Sequence, residues 1–105
     1  MPKGIDKKNW DTVHQLACDI VNADMMDDEV LSASKTTALL TLLYELKQKY
    51  HNHPSILATI GDYLDDHDER NSYYKMALEI ARTQGDKVEE AEIIDSMKHL
   101  DEEYN

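Results

Sequence analysis

Phenylalanine is absent from this chain, cysteine occurs once, proline twice and glycine three times. A single Cys excludes an internal disulfide and any cysteine-built zinc cluster. So few Gly and Pro leave few sharp turns, which argues against an all-β sandwich. No apolar run approaches the roughly 20 residues of a membrane span. The opening Met1-Pro2-Lys3-Gly4-Ile5-Asp6 has no apolar core of a signal peptide. A cytoplasmic location is the expectation. Basic residues are also scarce, 11 against 22 acidic, for a net charge of −11. A surface of that sign is repelled by phosphate, so nucleic acid and anionic membranes are poor partners. A basic protein partner is attracted.

What remains is 105 residues, 41% hydrophobic and 31% charged. That composition and length fit one globular domain with a heavily solvated exterior, spanning 1–105, with 1–8 and 101–105 expected to fray. The charge is uneven: residues 54–105 carry a net −9 and residues 1–53 a net −2. The later half is therefore the better candidate for steering a cationic partner, although acidic surfaces also serve solubility alone.

Apolar residues recur at helical spacing nearly throughout. Trp10, Val13, Ala17, Ile20 and Val21 mark a first helix, capped by Asn9 and ending near Asn22–Asp24. Leu39, Leu42, Leu43, Leu46 and Tyr50 form the strongest stripe. Its helix starts at Ser34 or already near Asp28. His51-Asn52-His53-Pro54 breaks the pattern, and Pro54 suits a first helical turn. Ile56, Leu57, Ile60 and Leu64 mark a third helix. The polar run Asp65–Glu69 reads as a connection. Tyr73, Tyr74, Ala77, Leu78 and Ala81 mark a fourth helix, stopped by Gly85. Asp86 with Glu89 three residues on is an acidic variant of a capping box. Val88, Ala91, Ile94, Met97 and Leu100 predict the inward face of a fifth helix. Short connections make neighbours antiparallel, so the expected fold is all-α, about five antiparallel helices stacked as hairpins.

Within Pro54–Met97, Leu57, Ile60, Gly61, Tyr74, Ala77-Leu78-Glu79-Ile80-Ala81 and Gly85-Asp86-Lys87 stand in the pattern of a helical repeat. This segment resembles a tetratricopeptide unit. The resemblance implies that Gly61 and Ala77 allow close helix approach, that Tyr74 fills the space between, and that the hairpin binds protein. Arg70 stands where the family's second helix opens on a small residue. In type, the whole chain is similar to small acidic all-helical bacterial immunity proteins, which bind a basic toxin domain and occlude its active site.

Chemistry-bearing constellations are few. His51 and His53 have metal-ligand character, but no Cys or Glu completes a set in that loop, so a solvated turn is expected. Asp62, Asp65, Asp66, Asp68 and Glu69 lack the Gly and Glu positions of a calcium loop, whether it starts at Asp62 or at Asp66. They read as a solvated turn or as an acidic edge facing a partner. Cys18, one turn after His14, reads as a small buried hydrophobe, since no oxyanion donor set accompanies it. With no Phe, most of Trp10, Tyr44, Tyr50, Tyr63, Tyr73 and Tyr74 must serve the core. Tyr63 and Tyr73 flank the acidic turn and are the expected exposed anchors.

The expectation is a non-enzymatic protein-binding domain without cofactor or metal. Its most concrete form is an immunity- or antitoxin-like inhibitor of a basic toxin or effector domain. Its partner face would be Asp62, Tyr63, Asp65, Asp66, Asp68, Glu69 and Tyr73. The alternative is a tetratricopeptide-like adaptor or chaperone holding a peptide between helices.

Overall fold

The computed structural model describes residues 4–104, which form five helices and, among the described residues, no strand. These are α1 (Lys7–Met25), α2 (Glu29–Lys49), α3 (Pro54–Tyr63), α4 (His67–Gln84) and α5 (Lys87–Tyr104). The protein is thus all-α. It divides into two compact units, Met1–Tyr50 and His51–Asn105.

In the first unit α1 and α2 pack as an antiparallel hairpin. Near the turn, Ser32 Oγ donates to Asp24 Oδ1 at 2.6 Å. At the far end, the Tyr50 hydroxyl accepts from Asn9 Nδ2 and from the Asp6 backbone N–H, at 2.9 and 3.1 Å. Asn9 is therefore a cross-helix donor rather than the cap. Asp6 caps α1, accepting from Lys8 N at 2.8 Å. A carboxylate caps as well as an amide does, and its charge also favours the helix N-terminus. Asp28 caps α2 by accepting from Leu31 N, so the earlier of the two expected starts is the one used. Between them Asp27 takes the left-handed conformation (φ 56°), and Asp28 N reaches back to Ala23 O. Asp tolerates that region better than most non-glycine residues.

Val13, Ile20, Ala23, Leu39, Leu43 and Leu46 are buried. Leu43, at the centre of the strongest stripe, has no exposed surface. Two residues of α1 depart from expectation. Val21 is exposed, and so is Cys18, which was expected to pack as a buried hydrophobe. Each helical residue turns about 100° from the last, so Cys18 faces roughly opposite to buried Ile20.

In the second unit α3 packs on α4 and α4 on α5. Leu57, Tyr74, Ala77, Ala81, Ile93 and Leu100 form the buried core. A Cβ on Gly61 would come to 2.8 Å from a Tyr74 ring atom, so the glycine is what lets the ring approach α3 this closely. Gly85 ends α4 in the left-handed conformation (φ 71°), with Asp86 N bonded to Ala81 O and Gly85 N to Arg82 O. That pairing of donors is the expected glycine stop.

Three expectations for this unit are corrected. The connection after α3 is Leu64–Asp66 alone, because Asp66 caps α4 and places His67, Asp68 and Glu69 in its first turn. The inward face of α5 carries Ile93, while Val88, Ala91 and Ile94 are exposed. Those two faces lie one residue apart, and Glu89 occupies a half-buried position on the inward one. Lastly, α5 continues through Asp101–Glu103 to Tyr104, a stretch expected to fray.

Candidate functional site

Antiparallel packing brings the C-terminal ends of α3 and α5 and the N-terminal end of α4 to one end of the second unit. Three acidic segments meet there. Asp62 lies in the last turn of α3, Asp65 and Asp66 in the connection, Asp68 and Glu69 in the first turn of α4. Asp101, Glu102 and Glu103 come from the last turns of α5. All eight are exposed.

Arg70 binds the three segments together. Its Nε donates to the Gly61 carbonyl at 2.9 Å, satisfying one of the orphan acceptors of the α3 C-terminus. Its Nη1 donates to Glu103 Oε2 at 3.2 Å. Beside it the Tyr74 hydroxyl donates to Asp62 Oδ1 at 2.6 Å. Burial, and after it the Asp62 carboxylate, push the Tyr74 hydroxyl up to about 12 against the opposing pull of Arg70. Partial burial of the oxygen facing Tyr74 raises the Asp62 carboxyl above the usual range, against the pull of Tyr74 and Arg70. The rest of Asp62 is exposed, so water moderates that rise. Arg70 is itself held above its ordinary value: partial burial opposes its charge, but Tyr74 and Glu103 outweigh it.

The acids of this edge fall into two kinds. Asp66 is structural, accepting from Glu69 N at 2.9 Å as the α4 cap. Asp68 has a 97% exposed side chain, with His67 Nδ1 at 3.4 Å from its Oδ1. Asp65 and Glu69 are likewise exposed. Carboxylates here also suit the positive end of α4. Tyr63 and Tyr73, expected to be exposed, are half-buried, and Tyr73 packs against the core of the unit. Burying the ring is what a chain without Phe demands of its tyrosines.

The other end of this unit holds a second polar group. Ser55 is buried, and its hydroxyl donates to Glu89 Oε2 at 2.9 Å, tying α3 to α5. His53 Nδ1 accepts from Ser55 N at 3.1 Å and so caps α3. Burial raises the Glu89 carboxyl, Ser55 and His53 lower it, and Glu92 and Asp86 add to the rise. Asp86 accepts from Glu89 N, so one half of the expected capping box is made; the Glu89 side chain goes to Ser55 instead. His51 and Asn52 both take positive φ in the exposed turn before it. His14 stacks obliquely on Trp10, with ring centroids 6.1 Å apart. Among the described residues no group of three or more His, Cys, Asp and Glu converges as a metal site. Among the described residues no helix is long and apolar enough to cross a membrane.

Two contributions to the acidic edge escape a reading of the sequence. Arg70 stands out only as a departure from the repeat pattern, and nothing local ties it to Glu103, 33 residues away. The acids of Asp101–Glu103 are visible in the sequence, but their place beside Asp62–Glu69 is a product of helix packing. No family model matches the chain, and neither a curated protein nor a solved structure matches it.

Proposed function

We propose that this chain is a non-enzymatic protein-binding domain. Its best-supported form is an immunity- or antitoxin-like protein of a bacterial cytoplasm that occludes a basic toxin or effector domain. One observation carries this reading: helix packing gathers Asp62–Glu69 and Asp101–Glu103 into one exposed acidic end, with Arg70 bonded into it. Such an edge speeds encounter with a cationic domain and selects against acidic ones. The half-buried rings of Tyr63 and Tyr73 then supply contact area at its border.

A second reading, a tetratricopeptide-like adaptor, draws on the close approach of Gly61 to Tyr74. It requires binding of short isolated peptides, whereas the first requires a folded partner. The experiment takes the folded product of the gene immediately upstream and measures its association with the chain at low and high salt. Asp65→Asn, Asp68→Asn and Glu69→Gln are combined, leaving the Asp66 cap intact. Slower association with a flatter salt dependence supports the proposal. Binding by unstructured fragments of that product as tightly as by the folded domain favours the adaptor.

A further inference from the structure

The turn end of the first unit carries an apolar crown. Met25, Met26 and Val30 are 79%, 73% and 82% exposed, and Val21 and Leu31 are exposed beside them. These are five large apolar side chains within eleven residues of chain. Solvated turns seldom collect them, and contiguous exposed apolar surface marks interaction sites. The charged residues of the surrounding stretch of chain are all of one sign. Residues 19–31 contain Asp19, Asp24, Asp27, Asp28 and Glu29 and no Lys, Arg or His. Asp28 serves as the α2 cap and Asp24 accepts from Ser32. Lys35 lies 3.6 Å from Asp19, at the border of the segment.

We propose that this crown is a docking site for a cationic amphipathic helix of a partner protein. Methionine side chains are flexible and polarisable and adapt to varied apolar ridges. A helix with apolar residues at i, i+3, i+4 and i+7 fits such a surface, and Lys or Arg on its flanks meets the acidic rim. The same rim repels a second copy of the chain, which would bring like charges together, and it repels anionic bilayers. This inference stands apart from the acidic end of the second unit and does not rest on it.

The test uses the full chain with methyl-labelled methionine. The probe is a synthetic 18-residue peptide with Leu at helical spacing and Lys elsewhere. Saturable shifts of the Met25 and Met26 methyl signals are expected, with affinity falling as salt rises. Met25→Ser, Met26→Ser and Val30→Ser together are expected to weaken binding by about tenfold or more. A second variant, Asp27→Asn with Glu29→Gln, leaves the crown and both helix caps in place and is expected to weaken binding and flatten its salt dependence. Neutralising Asp65, Asp68 and Glu69 is expected to leave the methyl shifts unchanged. The proposal is overturned if both tip variants bind the peptide as the parent does. It is also overturned if the methyl signals shift with protein concentration alone, which means self-association, or respond to zwitterionic phosphatidylcholine vesicles and not to the peptide.

Discussion

The two units close their hairpin ends with opposite chemistry. Around its turn the first unit spends Asp28 on a backbone bond and Asp24 on a side-chain bond and leaves methionine and valine facing water. At Leu64–Asp66 the second unit packs its tyrosines and leaves carboxylates outside. The second unit also holds its end with side chains distant in sequence: Arg70 to Gly61 and Glu103, Tyr74 to Asp62. The difference teaches how an acidic surface is positioned. Where half-buried Arg70 and buried Tyr74 tie the helix ends together, carboxylates from three segments are displayed together. Where no such pair exists, acids serve as caps and rims, and the apolar residues are left exposed.

The largest effect expected concerns the first unit. Leu43→Ala removes a fully buried side chain and is expected to cost about 2–5 kcal/mol in chemical denaturation. A loss of about 0.5 kcal/mol or less, the size of a surface change, would mean that the unit's stability does not lie in the α2 stripe. Next is Gly61→Ala in the second unit. Its new Cβ meets ring atoms of Tyr74 at 2.8 Å, so the ring must move and the Asp62 bond with it. Overpacking of this kind costs about 1–3 kcal/mol. A neutral or stabilised variant would show that the interface has slack.

The smallest effect is a pH dependence. The folded-state value of Tyr74 lies above the unfolded one, so the stability it contributes is complete below pH 10 and drains away as pH rises towards about 12. The loss is on the order of 1–2 kcal/mol, discounted because its partner Asp62 is exposed to water. Melting curves between pH 9 and about 12 are expected to fall more steeply for the parent than for Tyr74→Phe, which has no phenolic proton. Parallel curves would remove Tyr74 from the organising role given to it.

Much of this architecture is legible in the sequence. Pro54 opens α3, Gly85 stops α4, and the Leu39–Leu46 stripe finds the buried face of α2, because each rests on local geometry or on a repeated period. The same logic fails where two options are locally equivalent. Asp6 and Asn9 both suit a cap, and only the bond from Asn9 to Tyr50 decides between them. Ile93 and Ile94 differ by one helical step, and the choice is made by how α5 lies on α4. Of the acidic edge, the run Asp62–Glu69 is plain in the sequence. The contribution of Glu103 and the splitting of that run into a cap and exposed charges are set by packing. The exposed Met25 and Met26 were legible as apolar letters beside Asp27-Asp28-Glu29, but no period singles them out.

The measurement that bears most directly on the central claim is the salt dependence of association between the folded upstream-encoded domain and the chain with Asp65→Asn, Asp68→Asn and Glu69→Gln. The account predicts an unchanged fold by circular dichroism, slower association than the parent at low salt, and rates that converge with the parent's at high salt. Equal rates and equal salt slopes for parent and variant would contradict it and leave the acidic end a solvated surface.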